Sequence, residues 1–257
     1  MNDYEARFGG IGRLFGTAGL EKLRRAHVCV VGVGGVGSWA VEALARSGVG
    51  ELTLIDLDEV CLTNVNRQLP ALDGSIGRAK VEVLAERVRA INPACRVHAL
   101  MEFFTEDSAE RLFIPRYDFL IDAIDSVPNK VRLIARCHQA GLPMIVCGGA
   151  GGRRDATAVR VLDLAVVTHD RLLQRVREGL RKDHGFPSGK KKFGVKCICS
   201  AEPRMFPQSD GTVCERREDG TSLRLNCASG YGAATFVTGV FGFAAAGVAV
   251  DAIAEKG

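Results

Sequence analysis

The chain has 257 residues, 47% of them apolar and 25% charged, and a net charge of +4. That composition excludes a disordered or low-complexity chain and is enough to bury the core of one large domain. Nine cysteines without the paired short spacings of a secreted disulfide framework, and no signal-peptide pattern at the start, predict reduced thiols in the cytosol.

In chain order, short β-branched runs alternate with longer amphipathic stretches. Strands are predicted at roughly residues 27–32, 51–56, 96–100, 119–123 and 144–147, with helices near 38–47, 78–91, 107–113 and 129–140. The alternation predicts an α/β class protein: a doubly wound, mostly parallel sheet covered by helices on both faces. Residues 1–257 read as a single domain, with a Rossmann-like nucleotide-binding half over 1–150 and a substrate or crossover-loop half over 151–257. After Gly148-Gly149-Ala150-Gly151-Gly152 the pattern changes: residues 158–164 read as one more strand, a basic helix follows, and residues 190–222 read as a long connection. Between Arg171 and Lys196, nine Lys/Arg stand against Glu178 and Asp183, so a charge excess of +7 is concentrated where a polyanion would be attracted. The uncharged stretch 231–249 is long enough to cross a bilayer, which leaves membrane association as an alternative. Its Gly and Ala content, Thr235 and Thr238 favour a buried helix that closes the sheet.

The chemistry starts at Gly32-Val33-Gly34-Gly35-Val36-Gly37, between the first strand and the first helix after it. Gly32, Gly34, Gly35 and Gly37 let a phosphate approach backbone N–H groups at a helix N-terminus, where the helix dipole favours negative charge. Asp56, nineteen residues after Gly37, ends the second strand where a ribose-binding carboxylate belongs. Asp58, Asn64, Asn66, Arg67, Gln68 and Lys80 then form a polar series that dinucleotide binding does not require.

The ordered motifs Gly32–Gly37, Leu54-Ile55-Asp56-Leu57-Asp58, Asn64-Val65-Asn66-Arg67-Gln68, Gly77-Arg78-Ala79-Lys80 and Asp122-Ala123-Ile124-Asp125 resemble the ubiquitin-activating-enzyme-like (ThiF/MoeB-like) adenylyltransferases. The resemblance covers essentially the whole chain, ending at Asn226-Cys227-Ala228-Ser229-Gly230-Tyr231-Gly232 before the last helix. It implies that a substrate carboxylate attacks the α-phosphate of ATP while Arg67 and Lys80 neutralise the triphosphate and Asp125 holds Mg²⁺. Asp56 and Asp58 would serve the nucleotide, and Asn64 and Gln68 would orient it through neutral hydrogen bonds. The family places an N-terminal arginine in the partner subunit's site from an Arg-aromatic-x-Arg segment. Here Arg7-Phe8-Gly9-Gly10 lacks the second arginine, which leaves Arg7 or Arg13 for that contact and implies a homodimer.

Sulfur-carrier activators of the family bear two Cys-x-x-Cys zinc pairs. Cys197, Cys199, Cys214 and Cys227 do not reproduce that spacing. Arg7-Phe8-Gly9-Gly10, the 148–152 glycines and Pro207–Cys214 instead resemble the branch that acts on threonylcarbamoyladenosine in tRNA. That implies ATP-dependent cyclisation of the modified base beside the anticodon with loss of water, and gives the basic segment a tRNA phosphate contact. Activation of a small ubiquitin-like sulfur carrier is the alternative. A cysteine-desulfurase or sulfur-acceptor partner, with Cys61 on an exposed loop, is the further expectation of that setting, and Cys227 before the last helix aligns with a position used for thiol chemistry in some members of the family.

Overall fold

Residues 3–113, 115–189, 191–216 and 232–255 are described by the computed structural model. The expected segment Asn226–Tyr231, with Cys227, and Lys190 lie outside these residues.

The centre is a run of apolar strands. Strands β1 (His27–Val31), β2 (Glu51–Ile55), β4 (Phe119–Asp122) and β5 (Met144–Cys147) are almost wholly buried, as parallel strands covered on both faces must be. With β3 (Arg96–Leu100), β6 (Val159–Asp163) and β7 (Lys196–Ser200) they form one seven-stranded sheet in the order β3-β2-β1-β4-β5-β7-β6. All neighbours are parallel except β6 and β7. Val28 and Val30 pack on one face against α2 (Gly37–Arg46), α3 (Lys80–Ile91) and α7 (Thr235–Ala254). Cys29 and Val31 pack on the other against α4 (Glu106–Leu112) and α5 (Val127–Ala140), while α6 (Arg171–His184) extends that layer beneath β5 and β7. A small hairpin, β8 (Phe206–Pro207) with β9 (Val213–Cys214), stands apart from the sheet.

The helix ends follow local chemistry. Asp170 caps α6 by accepting from the Leu173 N–H, and Gly185 at φ 69° ends it. Pro128 lies in the first turn of α5, and Gly141 at φ 62° closes it.

Two features depart from the sequence reading. The 190–222 stretch is not one connection, because Lys196–Ser200 is an interior strand between β5 and β6. An N-terminal helical segment α1 (Asp3–Arg25), kinked at Gly16 where φ is 77°, lay outside the predicted elements because five glycines interrupt its pattern, the four besides Gly16 at a cost of about 1 kcal/mol each in a helix interior. Tertiary contact overrides that cost: Tyr4, Phe8, Leu20 and Leu23 are buried, and the Tyr4 hydroxyl donates to the Gly48 carbonyl at 2.6 Å. The last apolar stretch is the buried helix that its Gly and Ala content favours. Helix α7 is long and apolar enough to span a membrane by composition, yet Val237, Phe241, Ala245 and Ala249 sit at 0% exposure in the core. Its Gly242 touches α2 so closely that a Cβ there would lie 2.5 Å from the Val36 carbonyl oxygen. Glycine at 242 is explained by this helix crossing.

Candidate active site

The glycine turn is built by two steric demands. Gly32 leaves β1 at φ 84°, and a Cβ there would lie 2.8 Å from the carbonyl oxygen of Ala123, where β4 ends. At Gly37 a Cβ would fall 1.9 Å from the Gly32 oxygen, so any side chain would break the turn. Gly34 and Gly35 differ: their added Cβ atoms would meet Gln68 Nε2 at 3.7 Å and Arg67 Cγ at 3.6 Å, ordinary contacts. The protein therefore does not itself demand glycine at 34 and 35, and these two positions border the space above the turn. No side chain caps α2 at Val36, although the Ser38 N–H already donates to the Gly34 carbonyl at 3.1 Å, so an anion at the turn would meet backbone amides with no competing side chain.

Asp56 follows β2 and is buried. Its Oδ2 accepts from the Val33 N–H at 2.8 Å and its Oδ1 from the Asp58 N–H at 2.9 Å, so the carboxylate holds the turn in place. Burial pushes its pKa above the usual Asp value against the pull of those N–H groups and of Lys80. A carboxylate oxygen accepts more than one bond, so each can still take a ribose hydroxyl. Lys80 opens α3, is 5% exposed, and places Nζ 2.8 Å from Asp58 Oδ2. Arg67 lies beside Gly35, its guanidinium donating to the Thr63 carbonyl at 2.7 Å and to Asn66 Oδ1 at 2.9 Å. Gln68 is buried next to Gly34, and its Oε1 has no hydrogen-bond partner among the described residues. A buried acceptor left open beside the glycine turn is what a bound donor would satisfy.

Asn64 has a different local task from the one its motif suggests. Its Oδ1 accepts from the Cys61 N–H at 3.1 Å and closes a 3-10 turn over Leu62–Asn64, so it shapes the loop that carries Arg67. Cys61 itself is half-buried at that turn. Arg7 bonds Asp3 and the Ile91 carbonyl. Ile91 ends α3, about 16 Å along the helix from Lys80 at 1.5 Å per residue, so Arg7 does not serve this chain's own turn. Arg13 is exposed and lies back along Gly9 and Gly10 of its own helix.

Asp125 stands exposed just past the end of β4, the strand next to β1, and makes no hydrogen bond or ion pair among the described residues. What holds it there was not legible in the motif. Asp122 and Lys130 are both fully buried and paired at 2.8 Å, and Lys130 Nζ also donates to the Ile124 carbonyl at 2.9 Å. This ammonium locks the 122–125 turn onto α5. Burial pushes the Asp122 pKa upward against Lys130, and its Oδ2 has no partner. The signal for the pair, an aspartate ending an apolar strand and a lysine eight residues on, is too common to read alone.

The nucleotide-side groups also reach α7. The Trp39 indole and the Thr238 hydroxyl both donate to the Arg67 carbonyl, Thr235 donates to the Asn66 carbonyl, and Asn66 donates to the Ala233 carbonyl. The backbone that presents Arg67 is therefore clamped by the last helix.

A divalent cation that keeps several waters and uses one or two carboxylates plus phosphate oxygens fits Asp125. Outside this site, His27, Glu51 and His98 cluster at the opposite, amino-terminal ends of the strands, where Glu51 is already paired with Arg96. Of the nine cations in the basic segment, Arg177 donates to the Leu164 and Val167 carbonyls and Arg181 to those of Pro187 and Gly189, so both are structural. Arg171, Arg175, Lys182, Lys191 and Lys192 remain exposed.

A model of the ThiF family matches residues 10–254. The chain is 49% identical to the tRNA threonylcarbamoyladenosine dehydratase of Escherichia coli K12, with 98% of this chain and 95% of that protein covered. It is 48% identical to the one of Haemophilus influenzae, with 100% and 96% covered. A crystal structure of the E. coli dehydratase in complex with ATP superimposes with a TM-score of 0.88 at 44% identity, covering 100% of this chain and 99% of that one. The molybdopterin-synthase adenylyltransferase of E. coli is 36% identical over only 52% of this chain.

Proposed function

The chain belongs to the ThiF family, and from that premise we propose that it is an ATP-dependent dehydratase that cyclises N6-threonylcarbamoyladenosine beside the tRNA anticodon. The observation that carries the proposal is one rim of the sheet bearing an uncapped glycine turn, Arg67, Lys80 and a free Asp125, in a chain similar from end to end to proteins named as that dehydratase. Sulfur-carrier activation is the second reading, and the relatives carrying it match only about half of the chain.

In this reaction the threonyl carboxylate attacks the α-phosphate of ATP and pyrophosphate leaves. The carbamoyl group then attacks the activated carbonyl, AMP departs, and the ring closes with the net loss of one water. Closure is intramolecular, so no nucleophile from the enzyme is needed once the acyl group is held in place. Arg67 meets the phosphates as a two-pronged donor and Lys80 as a compact charge, exchanging part of its contact with Asp58 for phosphate oxygen. The amides at the start of α2 receive phosphate oxygen, Gln68 Oε1 accepts from a nucleotide donor, and Asp56 accepts from the ribose. Mg²⁺ held by Asp125 would neutralise charge on the departing pyrophosphate. Hydrolysis of the acyl-adenylate would return the starting base, so the site must exclude water until closure.

The remote position of Arg7 supports a homodimer in which a second copy supplies the arginine missing from this site. The exposed cations of α6 and of the loop after it supply tRNA phosphate contacts. The cytoplasm, where tRNA is found, is the compartment of this reading, and α7 serves as a core helix. A sulfur-transfer protein approached through Cys61 belongs to the same proposal.

The test is mass spectrometry of nucleosides from threonylcarbamoyladenosine-containing tRNA incubated with the protein, ATP and Mg²⁺ and processed in mild acid. The expected result is loss of one water from that nucleoside. An unchanged nucleoside, with pyrophosphate released only when a Gly-Gly-ended carrier protein is added, overturns the proposal in favour of the second reading.

A further inference from the structure

An open cavity of about 480 Å³ lies at the start of α6, and none of the residues assigned to ATP lines it. Thr168, His169, Arg171 and Gln174 line it from the start of α6, and Arg204 and Phe206 from the segment after β7. The Arg171 guanidinium lies over the Phe206 ring, 5.8 Å from its centroid, so a planar cation and an aromatic ring adjoin at the cavity. Asp170, the acid beneath, is fully buried and committed: it accepts from the Gly149 N–H at 2.9 Å and the Leu173 N–H at 3.1 Å, and lies 3.8 Å from Arg204. Glu215 is the one acid at the outer edge. Arginine charge thus outweighs available carboxylate around the opening.

The cavity wall is braced. His169 is the one non-glycine residue at positive φ among the described residues, at 59°, and its carbonyl accepts from the buried Arg153 at 2.8 Å. Arg153 also donates to the carbonyls of Gly149 and Glu202, tying together three segments distant in sequence. A backbone held in a sparsely populated region by a buried arginine marks a constrained, preformed site.

Its position relates it to the nucleotide. Gly148 and Gly149 leave the carboxyl end of β5, next to β4, whose end carries Asp125. Neighbouring strands are about 4.8 Å apart, so β1 and β5 ends lie about 10 Å apart on one rim. A chain of backbone contacts joins the two: the Met205 N–H donates to Gly152, the Gly152 N–H to Gly232, and Asn66 donates to Ala233 beside Arg67. That separation is of the order of one or two nucleotides of single-stranded RNA.

We propose that this cavity takes an unpaired nucleotide of the tRNA adjacent to the one being adenylated. The base stacks on the Arg171 guanidinium with Thr168 and Gln174 at its edge, and the phosphate faces the arginines of the rim. The inference rests on the tRNA reading above and adds to it a site for the neighbouring base.

The experiment measures binding of an anticodon stem-loop RNA, with the flanking nucleotides intact or abasic, to wild type, Arg171→Ala and Arg175→Ala. Arg175 is exposed one turn further along α6 and does not line the cavity, so the two variants remove equal charge. ATP affinity serves as the folding control in both. Arg171→Ala is expected to weaken RNA binding about tenfold, the effect of losing one stacked base, and Arg175→Ala about twofold at most. The abasic substitution should cost the wild type a similar factor and cost Arg171→Ala almost nothing. Equal losses in the two variants, or an abasic penalty that persists in Arg171→Ala, overturn the cavity assignment while leaving the dehydratase standing. Failure of the wild type to dehydrate the modified tRNA overturns the functional reading, and this one with it.

Discussion

Replacing Lys130 with methionine tests whether the buried Asp122–Lys130 pair holds the turn that presents Asp125. The side chain is 0% exposed, and the substitution keeps its volume while removing its bonds to Asp122 Oδ1 at 2.8 Å and the Ile124 carbonyl at 2.9 Å. It leaves a carboxylate with no counter-charge in the core, for which a loss of about 3–5 kcal/mol is expected. For a domain of this size each kcal/mol moves the thermal midpoint by about 2–4 °C, so the midpoint should fall by roughly 10 °C. The loss should also depend on pH. With Lys130 gone, burial is opposed only by the Ile124 N–H at 3.1 Å and raises the folded pKa of Asp122 further above the unfolded value near 4. Such a group contributes stability that is fully present below the unfolded pKa and lost as pH rises through the folded one, so Lys130→Met should recover towards wild type as pH falls. Calorimetric or fluorescence-detected melting of both proteins from pH 8 to pH 5 reads this. A variant as stable as wild type at pH 8, or a deficit that does not shrink on acidification, would refute the reasoning. Asp122→Leu combined with Lys130→Met removes both charges and should regain most of the loss, because a buried pair replaced by apolar groups is close to neutral.

Arg67→Ala and Asp125→Ala should each abolish ATP-to-pyrophosphate turnover while melting within a few degrees of wild type, since both groups lie towards solvent; turnover retained in both would sink the site assignment. Gly34→Ala and Gly37→Ala should separate ligand space from chain geometry. The first Cβ meets Gln68 Nε2 at an ordinary 3.7 Å and should weaken ATP binding in a folded protein, whereas the second, 1.9 Å from the Gly32 oxygen, should unfold the turn and lower the melting temperature. Gln68→Leu removes a buried acceptor that has no partner, so stability should hold or rise slightly while the Kd for ATP increases, by about tenfold for one lost hydrogen bond in a dry site; titration calorimetry and melting together check it.

The nucleotide half was legible because its determinants are local. A strand, a tight turn and a helix start occupy neighbouring positions, and Gly32 and Gly37 are required by contacts only five residues apart in the chain or across one strand. The parallel sheet was legible for the same reason, as the near-continuous apolar runs of β1, β4 and β5. Strand β7 was hidden because it is only five residues, Lys-Cys-Ile-Cys-Ser, next to a Lys- and Gly-rich segment, and its place between β5 and β6 is decided by pairing partners about 35 and 50 residues away. Asn64 shows the limit of motif transfer: the spacing is right, yet the side chain closes its own turn.

The far side of the rim obeys a different rule. Its cavity draws on the start of α6, the exit of β5 and the segment after β7, and the buried Arg153 that braces it contacts Gly149, His169 and Glu202. No window of sequence contains that arrangement, and the charge excess that flags it mixes cations of two kinds. Arg177 and Arg181 hold backbone carbonyls, whereas Arg171 and Arg175 face outward. Counting charge therefore overstates the polyanion surface and misses its shape. Selectivity for a nucleotide must lie where charge, a flat stacking surface and a braced wall coincide, and among the described residues they coincide at Arg171 over Phe206.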